Sequence, residues 1–141
     1  MREIIKDLAD LEKFAGRLAA KLAGGEVVAL SGQLGAGKTA LTQMLARRLG
    51  VRENLASPTF VLCKNYAARK NLQAIKNFCH VDLFRLSGGG AAEKIGFEER
   101  CGQKDCLVVI EWAEKIKKRL PPGTRFIKIK VNGKGQRVIT Y

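Results

Sequence analysis

Three features of the 141-residue sequence predict an α/β fold. Two short apolar runs, Glu26–Ser31 and Leu107–Ile110, have the length and composition of strands buried on both faces of a sheet. Stretches with helical spacing of apolar residues follow or precede them. A glycine-rich loop joins the first run to one of those stretches. The order gives a mostly parallel sheet core, with antiparallel hairpin strands added to it and helices on both faces. A chain of this length holds one core, so a single domain over 1–141 is expected.

Between Asp7 and Leu22, Leu8, Leu11, Ala15, Leu18 and Leu22 recur at steps of three and four, which places them on one stripe of a helix. Gly24 and Gly25 stop it. The apolar strand Glu26–Ser31 follows, then the glycine loop, then a second helix whose inner face carries Leu41, Met44, Leu45 and Leu49, with Gly50 at its end. Ser57-Pro58-Thr59 opens an extended segment from Phe60 to Tyr66, and a second runs from Asn77 to Leu83; the two are suited to an antiparallel hairpin. Gly88-Gly89-Gly90 predicts a mobile loop, because glycine has no Cβ to restrict its backbone. After Leu107–Ile110, a helix is predicted over Glu111 to Leu120, with Trp112, Ile116 and Leu120 along one side and Pro121-Pro122-Gly123 at its end. Two closing strands, Arg125–Val131 and Gln136–Tyr141, flank the turn sequence Asn132-Gly-Lys-Gly135.

Composition narrows the function classes. Hydrophobic residues make up 46% of the chain and charged residues 28%, ordinary values for a globular protein, and no run is long enough to span a bilayer. The first residues mix acids and bases ahead of any apolar stretch, unlike a secretory or transit signal, so the cytoplasm is the expected compartment. Cys63, Cys79, Cys101 and Cys106 show no Cys-x-x-Cys spacing, and Cys79 and the lone histidine, His80, point to opposite faces of a strand; reduced thiols are expected rather than zinc. The net charge is +13, and from Trp112 to Tyr141 nine Lys or Arg stand against one acid, Glu114. Such a field attracts phosphates, nucleic acid or an acidic protein surface.

The loop itself carries the chemistry. Gly32-Gln-Leu-Gly-Ala-Gly-Lys-Thr39 fits the Gly-x-x-x-x-Gly-Lys-Ser/Thr phosphate loop at every fixed position, and it lies between a strand and a helix as that loop requires. Gly32, Gly35 and Gly37 let backbone N–H groups turn inward around a phosphate chain, together with the amides of Leu34, Ala36 and Ala40. Lys38 supplies a mobile positive charge, and Thr39 a hydroxyl for Mg2+, which takes oxygen ligands. A phosphate loop also needs a carboxylate at the end of a neighbouring apolar strand, and Glu111 is the candidate. Asp82, at the end of another extended segment, is a candidate for ordering water. The fold expected is therefore that of a P-loop nucleoside triphosphatase, with ATP and Mg2+ as ligands.

Four blocks taken together, the glycine loop, Ser57-Pro-Thr-Phe60, His80-Val-Asp-Leu-Phe-Arg85 and Val109-Ile-Glu-Trp-Ala-Glu114, resemble the TsaE (YjeE) family in family order and over nearly the whole chain. The resemblance implies a small bacterial ATPase that acts with the TsaB and TsaD proteins in threonylcarbamoyl modification (t6A) of the tRNA adenosine beside the anticodon. It implies that Thr39 and Glu111 bind magnesium and that Asp82 serves nucleotide turnover. It further implies that Ser57 and Thr59 belong to a switch-like loop near the γ-phosphate, and that Trp112 lies beside the nucleotide. Three positions depart from the family pattern: Gln33 where Asp is usual, Phe84 where Tyr is common, and Glu12 where Thr is common, so no adenine contact is carried over from the first helix.

Two other classes compete. A small-molecule kinase needs an acceptor pocket and a lid, for which 141 residues leave little room. A basic RNA-binding module gated by nucleotide would account for the charge, and direct tRNA contact through the basic surface is compatible with either class. A GTPase is disfavoured because the chain has no Asn-Lys-x-Asp sequence. No internal arginine finger is evident, so turnover by the isolated chain should be slow.

Overall fold

In a computed structural model, residues 1–55, 63–86 and 96–141 are described. Ser57, Thr59, the start of the extended segment at Phe60 and the Gly88–Gly90 triplet lie outside the described residues. The strands are β1 (Arg2–Ile5), β2 (Val27–Ser31), β3 (Cys63–Ala67), β4 (Asn77–Asp82), β5 (Cys106–Glu111), β6 (Arg125–Val131) and β7 (Arg137–Thr140). They form one sheet in the order β1-β7-β6-β2-β5-β4-β3. The central four, β6-β2-β5-β4, are parallel, and the outer pairs β1–β7, β7–β6 and β4–β3 are antiparallel. The predicted parallel core with hairpin additions is the observed architecture.

Two helices, α1 (Leu8–Ala19) and α2 (Lys38–Arg48), lie on one face. There Leu11, Phe14, Leu18, Leu41 and Leu45 pack with Val28, Leu30, Val109, Ile127, Ile129 and Ile139 of the sheet in one buried cluster. The other face is covered over β2, β5 and β4 by Phe97, in the short 3-10 turn Phe97–Glu99, and by Ala113 and Ile116 of the 3-10 helix Ala113–Arg119. Among the described residues no helix is long and apolar enough to cross a membrane. All four cysteines are free thiols.

Several elements differ from the sequence reading. The first strand, β1, was not foreseen: its four residues, Arg-Glu-Ile-Ile, show neither strand alternation nor a long apolar run, and it exists because the two ends of the chain meet, Arg2 opposite Thr140 and Ile5 opposite Arg137. Helix α1 begins after Asp7, whose side chain accepts from the Asp10 amide at 2.9 Å, and ends at Ala19. Leu8, placed on its apolar stripe, is 68% exposed, because a first-turn residue overhangs the core edge. The predicted α-helix over Glu111–Leu120 is replaced by the end of β5 and a 3-10 helix with a kink at Ile116. The break falls at Trp112, which has a left-handed backbone with φ +59.

Candidate nucleotide site

The glycine loop leaves β2 at its carboxyl end, where ligands bind in parallel α/β sheets. It passes directly over β6: a Cβ on Gly32 would stand 2.2 Å from the Ile129 carbonyl oxygen, and Gly32 has φ +146, so a side chain is excluded twice over. At the other end Gly37, φ +111, turns the chain into α2. No side chain caps that helix, and its first turn carries no acid. The first amides of a helix have no acceptor within it, so this end presents partial positive charge toward the loop. Ala36 turns its side chain into the core, and its amide donates to the Gln33 carbonyl at 3.1 Å, closing the loop on itself.

Lys38 is 4% exposed. Its Nζ donates to the carbonyls of Gly32 at 2.5 Å and Gln33 at 2.9 Å, and stands 4.0 Å from the centroid of the Trp112 ring. Burial lowers the pKa of this ammonium from 10.5, against the opposing pull of Glu111, Glu114 and Asp82. The left-handed backbone at Trp112 aims the indole back toward the loop, where it meets the Phe84 ring at 5.1 Å between centroids. Phe84, which lacks the hydroxyl of the commoner tyrosine, therefore still supplies a wall of the cleft.

Glu111 lies 2% exposed beside α2. Its Oε2 accepts from Thr39 Oγ1 at 2.9 Å, and its Oε1 is 2.9 Å from His80 Nε2. A carboxylate only accepts, so the Nε2 of His80 carries the hydrogen. The other ring nitrogen, Nδ1, is buried and finds no partner among the described residues. Parallel pairing of β4 with β5 sets Asp82 opposite Glu111 and His80 opposite Val109, so the three polar side chains share one face of the sheet. Asp82 Oδ1 accepts from the Phe84 amide at 3.0 Å, fixing the turn that follows β4.

Leu34, Gly35, Gly37, Lys38, Thr39, Ala40, Asp82, Phe84, Glu111 and Trp112 together line a cleft of about 250 Å3. The fold thus brings together the loop, both carboxylates and the tryptophan singled out from the sequence; Gly32 and Ala36 form the loop's floor and closure, and Ser57 and Thr59 fall outside the described residues. Two features were missed. His80 holds Glu111, a role legible in the two-residue step from His80 to Asp82, which puts both on the same side of a strand. A second, apolar cavity of about 660 Å3 adjoins the cleft through Gly37 and Ala40 and is lined by Ile5, Leu8, Leu11 and Arg137. Ile5 and Arg137 face it only because β1 pairs with β7, a contact across the whole length of the chain. Glu12, the position that departs from the family pattern, instead pairs with Arg48 at 3.3 Å on the outer surface of the helices.

Comparison with known proteins agrees with this geometry. The family model described as threonylcarbamoyl adenosine biosynthesis protein TsaE matches residues 5–139. A tRNA threonylcarbamoyladenosine biosynthesis protein TsaE of Treponema pallidum is 35% identical over 140 residues, covering 99% of this chain and 98% of that protein. The protein of the same name from Bacillus subtilis is 37% identical over 118 residues, 83% of this chain and 69% of its own length. The crystal structure of Bacillus subtilis YdiB superposes with a TM-score of 0.71 at 28% identity, covering 99% of this chain and 82% of that one. With a phosphate loop at the carboxyl end of β2, two carboxylates in register beside it and a family match over nearly its full length, this chain belongs to the TsaE family.

Proposed function

We propose that the chain binds ATP with Mg2+ and hydrolyses it, in support of threonylcarbamoyl modification of tRNA adenosine beside the anticodon, together with TsaB and TsaD. The observation that carries the reading is the hydrogen bond between Thr39 and Glu111 at the mouth of the loop. It joins the helix that follows the phosphate loop to the strand that ends in the acid, and it sets a hydroxyl and a carboxylate side by side.

That donor set is all oxygen, which suits Mg2+. Thr39 and Glu111 would hold the ion, and bound there it would supply charge neutralisation to the phosphates. The chain's own groups do the remaining work. Lys38 exchanges its hold on the Gly32 and Gln33 carbonyls for phosphate oxygens, keeping the same loop geometry. The α2 amides and the loop amides orient the phosphate chain. Asp82, in register with Glu111 and lining the cleft, orients the attacking water. His80 keeps Glu111 aimed at the cleft. The apolar cavity beside Ala40 receives the base, with Ile5, Leu8 and Leu11 as its apolar lining.

A phosphoryl transfer site does little covalent chemistry, so positioning and charge set its rate. No arginine lines the phosphate cleft among the described residues, and slow turnover by the isolated chain follows. Glu111→Ala and Asp82→Ala separate the roles. Both should keep Mg·ATP affinity within about tenfold, one decade being ~1.4 kcal/mol, while phosphate release falls by about a hundredfold, as when an electrostatic stabilising group is removed. Phosphate release at the wild-type rate by either variant would remove that residue from the mechanism.

A further inference from the structure

We infer that the uncovered face of the sheet over β6, β7 and β1 is a binding platform for single-stranded RNA. On the face opposite α1 and α2, the described 3-10 segments pack over β2, β5 and β4, leaving the β6-β7-β1 side with exposed residues. Strand register fixes what stands there. Lys128 is opposite Ser31 on β2 and Thr140 on β7, and Thr140 is opposite Arg2 on β1. Lys130 is opposite Val138, which is opposite Ile4. Phe126, two residues before Lys128, completes the row on β6.

Apart from Val138, which is buried, these residues do not behave as a core. Phe126 is 50% exposed and Ile4 51%, and Arg2, Lys128 and Lys130 are exposed as well. Lys117 comes from the 3-10 helix Ala113–Arg119, its Nζ 5.9 Å from the centroid of the Phe126 ring. A cavity of about 630 Å3 opens beside that ring, lined by Ser31, Glu114, Lys117, Phe126, Lys128 and Thr140. This is within the range of small-ligand pockets and wide enough for a base.

The charge selects the occupant. The row presents Arg2, Lys128 and Lys130 with Lys117 beside it, and the cavity sets Lys117 and Lys128 against a single acid, Glu114, on a chain of net charge +13. A polyanion is the complementary partner. The exposed ring distinguishes an unpaired nucleic-acid strand from other polyanions, because a base stacks on an aromatic face while phosphates meet neighbouring cations. Along β6 a two-residue step advances about 7 Å, close to the phosphate repeat of an extended strand, so Lys128 and Lys130 can meet successive phosphates. Glu114, Ser31 and Thr140 offer hydrogen-bonding groups to the edge of a base in the cavity. No residue that lines this cavity lines the phosphate cleft, so the two surfaces can be probed by separate substitutions.

The test is fluorescence anisotropy of the full chain with a labelled single-stranded RNA of about fifteen nucleotides, without nucleotide, in a salt series. The same sequence as a duplex and a poly-glutamate of equal charge are the comparison ligands. Phe126→Ala should weaken single-strand binding by about fivefold or more, the loss typical of one stacked base. Lys128→Glu with Lys130→Glu should weaken it at least tenfold and flatten the slope of log affinity against log salt by about 1.4, two phosphate contacts on a single strand. Neither variant should alter Mg·ATP affinity. Lys13→Glu with Lys21→Glu, on α1 and the turn after it, is the charge-matched control and should have a much smaller effect. Equal loss from the control pair, equal affinity for the duplex, or poly-glutamate binding with the same sensitivity to these variants would overturn the inference. The last result would assign the face to an acidic protein segment instead.

Discussion

Glu111 shows how a single residue ties the site to the fold. Its two oxygens meet Thr39 on α2 and His80 on β4, so one buried carboxylate links the phosphate-loop helix to two adjacent strands. The acid was legible in the sequence because it follows the second fully apolar run. The side on which its histidine partner stands was legible in the two-residue step to Asp82, but the bond to Glu111 was not, because it depends on the register of β4 with β5. Lys38 makes a testable prediction at the same scale. Its pKa is lowered from 10.5 by burial, so the folded chain binds fewer protons at this position than the unfolded chain does. Nucleotide-free stability should therefore rise as pH climbs through the folded pKa toward 10.5, and the gain should vanish in Lys38→Met, which has no proton to lose. Melting temperatures of both proteins between pH 8 and 10.5 measure it, and parallel curves would contradict it.

At the scale of elements, the loop, α2, β2, β4, β5 and the β6–β7 hairpin were readable because each rests on local signals: apolar runs, helical spacing, glycine at fixed offsets. Cys63–Ala67 and Asn77–Asp82 pair antiparallel, as the hairpin reading required. The failures share a cause. Strand β1 depends on a partner at the far end of the chain, and the segment after Glu111 is bent by a left-handed tryptophan that helical spacing does not reveal. Gly32 tests the element-level account. Its close approach to the Ile129 carbonyl means that Gly32→Ala must push β6 away from the loop or shift the loop off β2. A loss of about 1–3 kcal/mol, the usual scale for a residue forced into a disfavoured backbone region, is expected. Denaturant unfolding would read the loss, and calorimetry should show weakened Mg·ATP binding. Gly35→Ala is the comparison, since it has φ +76 but nothing within 4 Å of its Cβ, and it should cost less. Equal losses would show that backbone conformation alone matters and that the approach to β6 does not.

For the whole molecule, the sheet divides its labour by position. Its carboxyl edge carries the cleft proposed for phosphate, one face is buried under α1 and α2, and among the described residues part of the other face is basic and exposed. Among the described residues no arginine lines the cleft, which leaves room for a partner to complete or reshape the proposed site, so phosphate release should rise when TsaB and TsaD are added; a rate unchanged by them would count against partner dependence. Whether the cleft holds a triphosphate is decided by one titration. Calorimetry of the purified chain with Mg·ATP should give a saturable one-to-one isotherm, and Lys38→Ala, which removes the ammonium bonded to the loop, should abolish it. No heat of binding for the wild-type chain, or an isotherm unchanged by Lys38→Ala, would contradict the assignment of this loop to nucleotide.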